Sequence, residues 1–136
     1  MSRLRLSILT ILIIGTGLAI SAQPNEITYM DADNFQIRYQ SEVFAILADV
    51  SMKREYRRAH IPGAVLIHKM KQLEVFADTL DREIPIYIYC DGESRSQTVA
   101  EYLNYRGFRS VNILQGGMRY WEAAGLPVES NRKRYK

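Results

Sequence analysis

Short apolar, β-rich runs alternate along this chain with segments whose apolar residues recur at helical spacing. That alternation constrains the fold more than any other feature. Residues 27–29, 43–50, 65–67, 86–89 and 110–114 read as strands. The run 43–50 is continuously apolar until Asp49, as in a strand covered on both faces. Between these runs lie candidate helices. Asp31-Ala32-Asp33 can cap one that runs to about Tyr39. Residues 53–59 allow one or two turns. Met70, Leu73, Phe76, Ala77 and Leu80 mark a helix over 69–80. Val99, Ala100 and Leu103 fit a helix over 96–106 that Gly107 stops, and 118–124 is a short helix that Gly125 ends. Strands alternating with helices predict a single α/β domain. Its sheet should be mainly parallel and five-stranded, with helices on both faces. In such sheets the ligand site lies at the carboxyl ends of the strands.

The two ends of the chain read differently from the body. Arg3 and Arg5 precede an uncharged run over 8–20, which exits through Ala19-Ile20-Ser21-Ala22 into Gln23-Pro24-Asn25. A basic start, a short apolar run and a small-residue exit describe an export signal over 1–22, cut near Ser21 or Ala22. The alternative is an uncleaved anchor, although the run is shorter than the roughly 20 residues that span a bilayer. The protein is therefore expected in the periplasm or secreted, with no membrane span in the mature chain. A domain over 26–129 and a basic tail over 130–136 complete the expected organisation.

The formal charge of +3 arises at these ends, because Arg132, Lys133, Arg134 and Lys136 crowd the last five residues. Without both ends the body is slightly acidic. No surface interleaves aromatic with basic residues, so nucleic acid is not an expected partner. A mean hydropathy of −0.20 excludes a multi-spanning membrane protein. At 47% hydrophobic and 24% charged, the chain is neither disordered nor collagen-like. A monomer is expected.

Cys90 is the sole cysteine, so no disulfide can form within the chain. By its residue type it is either a small buried hydrophobe or a reactive thiol. Its surroundings admit chemistry as readily as packing. It ends the strand 86–89 and opens Cys90-Asp91-Gly92-Glu93-Ser94-Arg95-Ser96, after which a helix begins. A strand, a short loop and a helix in that order curl successive N–H groups toward one centre. Such a cradle binds anions and favours a thiolate over a thiol. Arg95 can add charge to a ligand or brace the loop, and Ser96 can cap the helix or donate into the loop.

Three blocks resemble the rhodanese-like domain family. The first is Asp49-Val50 with Glu55-Tyr56 and His60-Ile61-Pro62-Gly63-Ala64. The second is Tyr89-Cys90 with Arg95-Ser96. The third runs from Gly107-Phe108 through Val111, Leu114, Gly116-Gly117 and Trp121 to Gly125-Leu126-Pro127-Val128. The resemblance covers about residues 26–129. It implies a sulfurtransferase in which Cys90 takes the outer sulfur of a thiosulfate-like anion as a persulfide. A thiol, or cyanide, then accepts that sulfur. Asp91, Gly92, Glu93, Ser94, Arg95 and Ser96 would bind the anion. Asp49, His60, Gly116 and Gly117 would support the site, and no metal or organic cofactor is implied.

The chain departs from the family pattern at several positions. Asp91 and Glu93 put two carboxylates beside the thiol; facing the site they would repel a dianion, and facing solvent they would matter little. Ser51 stands where the pattern has a bracing arginine, for which Lys53 or Arg54 could substitute. Ala59 replaces a glycine, and Gly92 sits one place early. Cysteine phosphatases need an arginine six residues after the cysteine, whereas Arg95 is five after. A catalytically silent, partner-binding domain of the same fold is the alternative function. His60 and Asp49 read as loop-holding residues, His68 as exposed, and Trp121 as core or rim. Gly116-Gly117 is expected to let the chain pass close beside the loop after Cys90.

Overall fold

The computed structural model describes residues 25–131. The expected export signal and residues 132–136 of the basic tail lie outside them. The order is β1 (Glu26–Met30), α1 (Ala32–Ser41), β2 (Ile46–Asp49), α2 (Lys53–Arg58), β3 (Val65–Leu66), α3 (Met70–Thr79), β4 (Ile86–Tyr89), α4 (Ser94–Tyr105), β5 (Ser110–Leu114) and α5 (Gly117–Ala123). The strands form one five-stranded sheet in the order β1-β5-β4-β2-β3, and every pairing is parallel. An isolated antiparallel bridge joins His60 to Glu129 outside the sheet.

Strand alternation divides the core into two layers. Ile86 and Ile88 of β4 face α3 and α4, packing with Leu73, Ala77, Ala100 and Leu103. Tyr87 and Tyr89 point the other way, toward Phe35 of α1 and Trp121 of α5. Phe35 stands edge-on to Tyr87 at 5.2 Å and to Trp121 at 6.4 Å. Such aromatic pairs add about 0.5–1.5 kcal/mol each beyond the area they bury. Trp121 is thus core, and its Nε1–H donates to the Pro127 carbonyl at 2.9 Å. Asp31 caps α1 by accepting the Asn34 N–H at 2.9 Å.

Several boundaries differ from the sequence reading. β2 begins at Ile46, because its register against β4 starts with Ile46 opposite Ile86. Val43 and Phe44 fall before that register and are exposed. They border an open apolar hollow with Ile84 and Pro85, at the amino ends of the strands and away from Cys90. α4 starts at Ser94, with Glu93 in the cap position, so Ser96 lies inside the first turn and does not cap the helix. His68 is half-buried rather than exposed, and its Nδ1 is buried without a hydrogen-bond partner.

Candidate active site

β4 delivers Cys90 to the carboxyl edge of the sheet. The thiol continues the Ile86 and Ile88 face, is 3% exposed, and belongs to the α3/α4 core layer. It is a free cysteine whose thiol donates toward the Ser96 hydroxyl, with Sγ and Oγ 3.7 Å apart. The Ser96 hydroxyl in turn donates to the Glu93 carbonyl at 2.7 Å. That bond holds the loop closed over its own first helical turn.

Among the described residues, none of the N–H groups from Asp91 to Ser96 donates to a backbone carbonyl. The first donor of that kind along α4 is the Gln97 N–H, to the Glu93 carbonyl at 3.0 Å. A loop that leaves successive donors uncommitted at a helix N-terminus is suited to negative charge.

Gly117 lets α5 approach this loop. Gly117 has φ +60°, and a Cβ there would lie 1.9 Å from the Gly92 carbonyl and 2.3 Å from that of Cys90. Only glycine fits so close to backbone at a positive φ. The contact is completed by the Met118 N–H, which donates to the Cys90 carbonyl at 2.9 Å. Gly116, at φ +70°, starts the helix and donates its N–H to the Glu93 carboxylate at 2.8 Å.

The loop carboxylates face neither the thiol as bare charges nor open solvent. Asp91 accepts from Arg58 Nη2 at 2.8 Å and lies 3.8 Å from Arg119. Arg58 also pairs with Glu122 of α5 at 3.2 Å. The Asp91 hydrogen bond is the main influence holding the Arg58 guanidinium above its usual range. Glu93 is committed to the Gly116 amide. Asp91 and Glu93 therefore tie the loop to α2 and α5. Arg95 donates to Glu55 of α2 at 3.1 Å, with the Val50 carbonyl at 3.5 Å. Glu55 also accepts the Met52 N–H at 2.7 Å. Gly92 has no neighbour within 4 Å of where a Cβ would stand, so its small size is not enforced by packing. Ser94 opens α4, exposed, and accepts the Thr98 hydroxyl on its carbonyl at 3.1 Å.

Beneath the loop lies a buried polar layer. Asp49 sits in register beside Tyr89, fully buried, and its Oδ1 accepts the Ser51 N–H at 2.8 Å. Burial raises the Asp49 carboxyl above its ordinary value, against the lowering effect of its Ser51 contacts. Its Oδ2 and the Ser51 Oγ are buried without hydrogen-bond partners. The Tyr89 hydroxyl accepts the Ile61 N–H at 2.9 Å, and burial raises that phenol strongly. His60 stacks on Tyr56 at 3.8 Å and bonds the Tyr56 carbonyl through Nδ1 at 2.8 Å. Its backbone exchanges both hydrogen bonds with Glu129. Asp49 and His60 therefore hold the segments around β2 and β3, and among the described residues neither hydrogen-bonds the thiol. Lys53 and Arg54 are exposed and form no ion pair among the described residues, so neither replaces the arginine missing at Ser51. The braces are Arg58 and Arg95.

The sequence profile of the Rhodanese-like domain matches residues 31–124. The chain belongs to the rhodanese-like domain family. Among its rhodanese-like relatives, the thiosulfate sulfurtransferase GlpE of Coxiella burnetii is 32% identical over 87 residues. That match covers 64% of this chain and 80% of that protein. The putative sulfur carrier protein YrkF of Bacillus subtilis is 32% identical over 101 residues, covering 74% of this chain and 54% of that protein. The crystal structure of the Alr3790 protein from Anabaena sp. superposes with a TM-score of 0.67 at 27% identity. It covers 74% of this chain and 81% of that one. The five-stranded sheet with helices on both faces is thus the rhodanese-like fold. Sequence reasoning did not find Arg58, Arg119 and Glu122 as neighbours of the loop. The only signal for them was the pair of loop carboxylates, which had to find donors somewhere.

Proposed function

We propose that this chain is a sulfurtransferase that carries a sulfane sulfur as a persulfide on Cys90. The donor is thiosulfate or a similar anion, and the acceptor is a thiol or cyanide. The observation that carries this reading is the Cys90 thiol under a loop whose N–H groups, from Asp91 to Ser96, are not taken by backbone carbonyls.

In the first half-reaction the Cys90 thiolate attacks the outer sulfur of thiosulfate. The new S–S bond forms as the donor S–S bond breaks, and sulfite leaves with that electron pair. In the second, the acceptor thiolate or cyanide attacks the outer sulfur of the persulfide. Cys90 departs as thiolate, and a persulfide or thiocyanate is released. The loop amides stabilise the negative sulfur in both steps. The Ser96 hydroxyl, 3.7 Å from Sγ, can turn its hydrogen toward the thiolate by giving up the Glu93 carbonyl. Arg95 acts through the loop, since Glu55 holds its guanidinium. Asp91 and Glu93 hold the loop's path rather than the anion. The persulfide's outer sulfur lies about 2 Å beyond Sγ, and the acceptor attacks that atom rather than the 3%-exposed Cys90 itself.

The signal-like segment 1–22 supports work outside the cytoplasm, in the periplasm or in secreted form. Thiocyanate formation from thiosulfate and cyanide tests the reading. Double displacement predicts parallel reciprocal plots as cyanide is varied, and loss of activity in Cys90→Ser. Equal rates in the serine variant would overturn it.

A further inference from the structure

A sulfur carrier needs an acceptor, and the charge around this mouth points to its surface chemistry. α2 runs along the catalytic loop. Glu55 contacts Arg95 and Arg58 contacts Asp91, three residues apart on one helical face. Lys53, Arg54 and Arg57 of the same helix are exposed beside those contacts and form no ion pairs among the described residues. Across the mouth, Arg119 of α5 is 75% exposed. The carboxylates that could cancel these charges are already engaged. Glu55 is held by Arg95, Asp91 and Glu122 by Arg58, and Glu129 lies 3.5 Å from His60. Asn131 donates its N–H to the Arg57 carbonyl at 3.1 Å, and the residues that follow are Arg132, Lys133, Arg134, Tyr135 and Lys136.

We infer that this basic face docks an acidic surface of a protein acceptor, whose thiol is thereby brought to the persulfide on Cys90. The inference rests on the sulfur-carrier reading and names the kind of partner. The cations extend along a helix of 6 residues, roughly 9 Å, and continue across the mouth to Arg119. That spread does not converge on one small dianion, and it suits an extended acidic patch. Topology argues against a lipid surface. The sheet is all-parallel, so β1 enters at the amino ends of the strands, whereas α2 and the loop after β4 lie at the carboxyl ends. Were the apolar segment 8–20 held in a membrane, the chain would enter the domain from the side opposite the basic face.

The test uses the full chain and a fluorescein-labelled peptide of alternating glutamate and serine, with alternating glutamine and serine as control. Binding is read by anisotropy and needs no sulfur transfer, so its result stands apart from that of the sulfur-carrier reading. The glutamate peptide should bind and the glutamine peptide should not. Raising salt from roughly 50 to 200 mM should weaken binding severalfold. The triple variant Lys53→Glu, Arg54→Glu, Arg57→Glu should weaken it about tenfold. Its circular dichroism and its thiosulfate-to-cyanide rate at saturating thiosulfate should match the native chain, because none of the three side chains pairs with the loop among the described residues. Bound peptide should also slow alkylation of Cys90. Equal binding by the native chain and the triple variant overturns the inference. So does charge-dependent retention on phosphatidylglycerol vesicles, over phosphatidylcholine ones, by a chain that ignores the peptide.

Discussion

Replacing Gly117 by alanine puts a methyl carbon 1.9 Å from the Gly92 carbonyl oxygen, 2.3 Å from that of Cys90 and 2.9 Å from that of Asp91. All three are backbone atoms of the loop after β4, so no side chain can rotate out of the way. Relief requires α5 or the loop to retreat by about 1 Å or more. A non-glycine residue at φ +60° costs about 1–2 kcal/mol. The retreat also sacrifices the bond from the Met118 N–H to the Cys90 carbonyl, worth about 1 kcal/mol. With residual overlap, the loss is about 3–4 kcal/mol. For a domain of this size, that lowers Tm by roughly 12 °C or more. Gly107 provides the control. Its φ is +89°, and nothing lies within 4 Å of its absent Cβ. Gly107→Ala should therefore show the backbone cost alone, about 1–2 kcal/mol. Thermal melts by circular dichroism compare the two, and thiocyanate formation should fall in the Gly117 variant and hold in the other. Equal loss of Tm in both would refute the argument that Gly117 is fixed by contact with the loop.

Other perturbations separate the remaining interactions. Arg58→Ala strips Asp91 of its nearest cation and leaves the carboxylate at the mouth with the exposed Arg119 at 3.8 Å. KM for thiosulfate should rise severalfold, stability should change by less than about 1 kcal/mol because the pair is partly exposed, and Asp91→Asn in the same chain should restore KM. Tyr89→Phe leaves the buried Ile61 N–H without its acceptor, which should cost about 1–3 kcal/mol in denaturant unfolding. Asp49 offers a pH test. Its folded carboxyl lies above the unfolded value of 3.8 because burial disfavours the charge. Its stabilising contribution is full below that value and is lost as pH rises through the folded one. Asp49→Asn does not titrate, so its Tm relative to the native chain should climb as pH rises above the unfolded carboxyl value of 3.8. A pH-independent difference would contradict the assignment.

The order of elements was legible because the chain alternates two periods, and Tyr87 and Tyr89 against Ile86, Ile88 and Cys90 show that alternation in one strand. Its limits were equally physical. Val43 and Phe44 are as β-prone as the residues after them, and only register against β4 leaves them outside the sheet. The start of α4 was misread because Ser96 has the chemistry of a cap, while the chain turns helical earlier, at Ser94. The close approach to the loop was readable in the glycine pair, and it falls on Gly117, whereas a Cβ at Gly116 would meet the Tyr120 ring. The partners of Asp91 and Glu93 were not readable. Arg58 lies 33 residues before Asp91, and the Gly116 amide lies 23 residues after Glu93. No local pattern joins residues that only the folded sheet brings together.

The most direct test of the account is the intact mass of the protein after thiosulfate and then after cyanide, with Cys90→Ser in parallel. Thiosulfate should add about 32 Da, one sulfur held as persulfide. Cyanide should remove it, and the serine variant should never gain it. A gain that persists in the serine variant would contradict the account. So would a native chain that gains nothing while Cys90 still reacts with an alkylating reagent.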